Sequence, residues 1–257
     1  MSRPGFIDTH AHLCDDRFDE DREAVLERAC QAGVVGIVLV SETLADARLN
    51  GVLARQFPRL YLAAGLYPGQ AEQKKAEEMV AYIHQYHQQL LAIGEVGLDF
   101  LLAKEEPQRA VQRQVFSTFI QLSLQLDLPL NVHSRSAAQE TVATLLDSGA
   151  KRVQLHAYHG DHKTALKAIE AGYYLSVPTS IVRSEQIRNL VKKLPLDQLL
   201  LESDSPVLGP DPGLRNEPAN IARSVPLIAQ MKGVPEQEVV EQLHENSCQL
   251  YGVSFPR

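Results

Sequence analysis

Asp8, His10 and His12 stand two residues apart in the run FIDTHAHL, so a β-strand there turns all three side chains to one face. Two imidazoles at that spacing can reach a single metal ion. Further along, Glu95 follows a glycine in LLAIGEVG, His133 ends LPLNVH, His156 ends VQLH, and Glu202 and Asp204 share LLLESDSP. Four imidazoles with Glu95 and Asp204, gathered at one place, would make a shell for two divalent metal ions, with Glu95 bridging them. Neutral imidazole nitrogen favours zinc, and also manganese, nickel or cobalt, over the all-oxygen shells preferred by magnesium and calcium. Two such ions polarise a phosphoryl or acyl oxygen and hold a hydroxide between them. Asp204 would then bind one ion and accept the water's proton. The blander reading makes these residues caps and core hydrogen-bonding groups. It does not explain why strand after strand ends in a metal-ligand side chain.

Bringing these residues together requires a particular set of elements. Short apolar runs alternate with amphipathic stretches along the 257 residues: Gly5–Thr9, Val34–Ser41, Leu60–Leu66, Leu90–Val96, Leu128–His133, Val153–Ala157, Tyr173–Val177 and Leu199–Ser203. Most are continuously apolar, as parallel strands buried on both faces must be. Eight of them, separated by helical patterns such as Asp19–Gln31, Pro107–Gln125 and Thr164–Ala171, fit an α/β TIM (β/α)8 barrel, whose C-terminal strand ends converge on one mouth. Gly33, Gly149, Gly172 and Gly233 follow apolar-periodic stretches and read as helix ends. Two more helices, near Pro218–Met231 and Pro235–Leu250, complete the barrel. The Pro/Gly-dense stretch Gly209–Pro218 reads as a loop after strand eight, so residues 1–257 are expected to form one domain.

Composition narrows the partners. Hydrophobic residues make up 44% and charged residues 22%, the balance of an ordinary globular chain, which excludes fibrous and disordered classes. No apolar run reaches the roughly 18–20 residues of a bilayer span, and the N-terminus does not read as a secretory signal. Cys14, Cys30 and Cys248 lie far apart with no CxxC, which excludes a disulfide framework; the cytoplasm is the expected compartment. Twenty-five basic against thirty-two acidic residues give −7, without the basic stripe that long-duplex binding needs. Pairs such as Lys74–Lys75 read as solvated positions, and the oligomeric state has no recognisable signature.

The tracts FIDTHAHL, LLAIGEVGLDF, LPLNVHSR, VQLHAYHG and LLLESDSP, in that order and spacing, resemble the TatD family of metal-dependent hydrolases in the amidohydrolase superfamily. The resemblance runs from about Phe6 to Asn246. It implies a two-metal phosphoesterase, with several members of the family described as deoxyribonucleases that trim DNA from the 3′ end. It makes His10, His12, Glu95 and Asp204 ligands of one metal, and Glu95, His133 and His156 ligands of the second. The implied cofactors are two divalent ions, zinc first, with manganese or magnesium as alternatives. The expected substrate is a small phosphoester or a DNA 3′ end. Hydrolysis of an amide, lactone or ester at the same centre is the alternative, and a binding barrel without turnover is the reading from another class.

Two places depart from the family pattern. Gly65–Leu66–Tyr67–Pro68 puts tyrosine where the family often has histidine; Tyr67 can donate to a phosphate but is a poor metal ligand. In His156–Ala157–Tyr158–His159–Gly160 the family's usual serine is missing, and His159 is read either as facing substrate or as a loop residue. Arg135, directly after His133–Ser134, and Arg215, in the loop after strand eight, are candidate anion contacts, weighed against plain salt bridges. Asp8, Asp99 and Glu202 are expected to orient neighbouring groups. His84, His87, His162 and His244 read as surface or packing residues, and Asn246 as a helix-end hydrogen bonder.

Overall fold

The computed structural model describes residues 4–256 and shows eight parallel strands in one sheet ordered β1 to β8, wound with helices into a nearly closed TIM barrel. The strands are β1 Phe6–Ala11, β2 Val34–Leu39, β3 Leu60–Ala64, β4 Leu90–Gly97, β5 Leu130–His133, β6 Val153–Leu155, β7 Tyr174–Pro178 and β8 Leu199–Glu202. The helices are α1 Arg22–Gln31, α2 Leu44–Gln56, α3 Gln73–Tyr86, α4 Glu106–Leu126, α5 Ala138–Asp147, α6 His162–Glu170, α7 Glu185–Lys193, α8 Val225–Lys232 and α9 Glu236–Tyr251. Every strand falls on an apolar run found in the sequence, displaced by a residue or two. The displacement matters at His156, which lies inside the run Val153–Ala157 but just past β6, while β1 extends beyond its run to end one residue before His12. The helical stretch from Pro218 opens as a 3-10 turn over Pro218–Ser224 before α8 begins. No helix among the described residues is long and apolar enough to cross a membrane.

Alternation divides β1 to β4 and β8 between two cores. Ile37 and Leu39 of β2, with Ile93 and Val132, pack outward against helix residues such as Phe116, Phe119 and Leu145. Val38, Val40, Ala63, Ala92 and Leu200 form a smaller cluster with Leu250, Tyr251 and Phe255 from the chain's end. Local signals set the helix ends. Thr43 and Asp46 make a capping box on α2, and the Asp161 carboxylate accepts from Thr164 N–H at the start of α6. Gly233 ends α8 at φ 69°, a left-handed value that glycine adopts at little cost.

The barrel closes between β1 and β8 through residues beyond the strands. Asp204 N–H donates to His10 O at 2.9 Å, and His12 N–H donates to Ser205 O at 2.8 Å. The same seam therefore closes the sheet and sets Asp204 against both β1 histidines.

Candidate metal centre

His10 Nε2 and His12 Nε2 face each other at 3.1 Å. Asp204 Oδ1 lies 3.5 and 3.4 Å from these two nitrogens, and Glu95 Oε2 lies 3.7 and 3.6 Å from them. Zinc bound tetrahedrally at ordinary bond lengths separates its ligand atoms by about 3.3 Å, so this spacing suits one cation. The other Glu95 oxygen belongs to a second group. Oε1 is 2.6 Å from His133 Nδ1 and 2.9 Å from His156 Nε2, and those two nitrogens are 2.9 Å apart. One carboxylate thus offers an oxygen to each cluster. The His10 and His156 rings stack at 3.9 Å between centroids, which joins the clusters into one buried body.

Glycine allows Glu95 to sit there. A side chain at Gly94 would put its Cβ 2.5 Å from the Asn131 Cβ, and one at Gly65 would meet the Gly94–Glu95 backbone at 2.6 Å. The strands around Glu95 therefore approach more closely than any larger residue permits.

Behind these side chains stands a layer of fixed partners. Asn131 Oδ1 lies 2.8 Å from His10 Nδ1, while Asn131 Nδ2 donates to Thr9 O at 2.9 Å, which aims His10 Nε2 at the first cluster. Asp99 Oδ2 lies 3.1 Å from His133 Nε2 and performs the same service for the second. Glu202 accepts from Ala157 N–H and Ser176 hydroxyl at 2.7 and 2.6 Å, with its Oε2 3.9 Å from His156 Nδ1. Asp8 accepts from the backbone of Ser203 and His10, tying β1 to β8. Asn131 was not singled out in the sequence. Its place two residues before His133, on the same strand face, is the signal that would have found it.

Electrostatics show what the clusters want. Burial opposes charge on His12 and His133, yet Asp204 and Glu95 around the first, and Glu95 and Asp99 around the second, raise both to about 9. Burial also opposes charge on Glu95 and Asp204, and the facing histidines overcome it, holding both carboxyls below their ordinary range. His10, fully buried and next to His156, is pushed down to about 3. Burial raises Asp8 and Glu202 to about 7. A compact set of ionised carboxylates and lone-pair nitrogens calls for positive charge, as protons or as cations. The donor set fits divalent metals: imidazole nitrogen and carboxylate oxygen converge on two loci, and the outer nitrogens of His10 and His133 meet fixed acceptors.

The remaining candidates are placed unevenly. Tyr67 donates its hydroxyl proton to Asp99 Oδ2 at 2.8 Å, and Arg135 reaches the same oxygen through Nε at 2.9 Å and Nη2 at 2.6 Å. Arg135 Nη2 also donates to the Tyr67 oxygen at 3.1 Å, so Asp99 gathers Tyr67, Arg135 and His133 around one atom. Arg215 stands apart: Nη1 and Nη2 grip Asp21 at 2.7 Å each, and its guanidinium lies 4.7 Å over the Phe18 ring. His159 is exposed, its Nδ1 2.6 Å from Ala157 O, and it belongs to neither cluster. His244 is buried with Nδ1 3.0 Å from Gly5 O, and Asn246 donates to Leu196 O and Leu199 O, linking α9 to the start of β8.

Known proteins are similar to this chain along most of its length. The family model described as TatD related DNase matches residues 7–252. The chain is 41% identical over 259 residues to the deoxyribonuclease TATDN3 of Homo sapiens, covering 96% of this chain and 94% of that protein. It is 32% identical over 256 residues to the uncharacterized metal-dependent hydrolase YabD of Bacillus subtilis, covering 96% and 99%. The crystal structure of the Escherichia coli TatD homologue YjjV superposes with a TM-score of 0.89 at 30% identity, over 96% of this chain and 98% of that one. With the family model spanning nearly the whole barrel, the chain belongs to the TatD-related DNase family of metal-dependent hydrolases.

Proposed function

We propose that this protein is a phosphodiesterase that trims DNA from a 3′ end using two divalent cations, zinc foremost. The observation that carries the reading is Glu95, whose two oxygens serve two separate clusters. His10, His12, Glu95 Oε2 and Asp204 would hold one ion; Glu95 Oε1, His133 and His156 would hold the other. When bound, such a pair supplies Lewis acidity toward a phosphoryl oxygen and a nucleophile at neutral pH. The chain's own residues do the rest. Asp204, kept ionised by its histidine neighbours, takes the proton of the attacking water. Arg135, anchored through Nε and Nη2, keeps Nη1 for an oxygen of the reacting phosphate. Tyr67 fixes that anchor, and Asp99 couples it to His133, so the anion contact and the second cluster move as one body.

The test begins with metal analysis of protein purified without chelator, which should approach two divalent ions per chain. His133→Ala should lose chiefly one ion and His10→Ala chiefly the other. Activity indifferent to chelators, with no bound ion, would overturn the reading. Turnover of ester or lactone panels with no cleavage of DNA or bis-p-nitrophenyl phosphate would replace it with the amide, lactone or ester hydrolase.

A further inference from the structure

A cavity of about 350 Å3 opens beside the metal centre, walled by Phe100, Ser134, Ser136, Gln139, His159 and Asp161 among others. Two of its lining residues adjoin the second cluster along the chain. Phe100 and Ser134 are the chain neighbours of Asp99 and His133, whose side chains meet at 3.1 Å, and Phe100 N–H donates to Arg135 O at 3.0 Å. Ser134, only 6% exposed, is among the residues that line this cavity. Arg109 lies over one face of the Phe100 ring, 4.5 Å from its centroid. The His159 ring is fixed through Nδ1 on Ala157 O, which leaves Nε2 for a ligand. Gln139 Nε2 donates to Asp161 Oδ2 at 3.2 Å, so an amide carbonyl and a carboxylate edge stand at the rim.

We propose that this cavity receives the base of the nucleotide whose phosphodiester is cleaved, an assignment that rests on the nuclease reading above. An aromatic ring, a buried hydroxyl, an imidazole and an amide are the partners of a neutral heterocycle with one π-face and a polar edge. A second phosphate fits less well, because Asp161 at the rim repels an anion and no lysine or arginine is among the walls named. The volume lies in the range of small-ligand sites, which start at roughly 300 Å3. The Phe100–Arg135 backbone link gives the arrangement its purpose: a base seated against Phe100 and Ser134 would register the adjoining phosphate against Arg135.

Single-stranded oligonucleotides with nuclease-resistant phosphorothioate linkages, carrying 2-aminopurine at each of the terminal positions in turn, test this with the metal-loaded protein. Stacking should quench fluorescence at one position and leave the others near their free values. Phe100→Leu should abolish that quench and lower kcat/KM on unmodified oligonucleotide roughly five- to hundredfold, the worth of one stacked base. His159→Ala, at an exposed side chain, should lower both in the same direction and keeps the test decisive should Phe100→Leu fold poorly. If oligonucleotides are cut but quenching is equal at every position, or unchanged in both variants, the base assignment fails and the nuclease reading stands. If no oligonucleotide is cut, the nuclease reading fails and takes the base assignment with it.

Discussion

His12 and His133, each held at about 9 by facing carboxylates, couple cation binding to protons. A cation must displace those protons, so adding zinc to chelated protein in weak buffer near pH 7 should release about two protons per chain, with affinity rising toward pH 9. Release of none would show that the histidines are already neutral. The sign for stability follows from the same shifts. Both groups lie above their ordinary value of 6.5, so their contribution to the chelated protein is complete below pH 6.5 and lost as pH rises through 9. Thermal melts of chelated protein should therefore fall across that window. Asp204→Asn removes the proposed proton acceptor while keeping the shape, and should cut kcat by roughly 10²–10⁴-fold with the fold retained. Near-normal turnover in the folded variant would dismiss Asp204 as the base.

Among the elements, β5 helps aim the first cluster, because Asn131 on it holds His10 on β1. Asn131→Ala leaves the Thr9 carbonyl and the His10 Nδ1 without that partner, in a place where neither reaches water. A loss of about 1–3 kcal/mol in unfolding free energy is expected from chemical denaturation. First-cluster zinc affinity should fall on the order of 10–100-fold, as for other lost partners of metal-bound histidine. Unchanged affinity would mean that β1 alone orients His10. Gly94→Ala presses β4 on the same residue and should reproduce both effects, since its Cβ would meet that of Asn131 at 2.5 Å.

Over the whole molecule, the −7 charge limits how DNA, the proposed substrate, could be held. Many arginines are already spoken for: Arg17 by Asp15, Arg28 by Glu217, Arg113 by Glu140, Arg215 by Asp21 and Arg223 by Asp211. Under the proposed reading, phosphate contacts would centre on the mouth, where Arg135, itself paired with Asp99 through Nε and Nη2, adjoins the clusters. Affinity for single-stranded oligonucleotides should stop rising after a handful of nucleotides, and its salt dependence should correspond to only a few phosphates. Shortened 3′ ends should accumulate before closed circular duplex is nicked. Affinity that keeps growing with strand length, or circles linearised first, would contradict this picture.

The sequence by itself determined the barrel and the identity of its polar ends. Continuous apolar runs such as the one that became β2 can be buried only on two faces, and the eight of them admit few arrangements. Two-residue spacing likewise marked His10 and His12, and Asp204 beside Glu202, while Glu95, His133 and His156 were marked by residue type at the ends of apolar runs, because strand alternation and strand ends are local properties. Only the tertiary structure decided where each side chain spends its hydrogen bonds. Asp99 gathers residues 32, 34 and 36 positions away, and Arg215 turns to an aspartate 194 residues distant, pairings for which no local pattern exists. The split of Glu95 between two clusters is of the same kind. It depends on glycines at positions 65 and 94 letting three strands approach to backbone contact, a distance set by packing across the sheet and carried by no single stretch of chain.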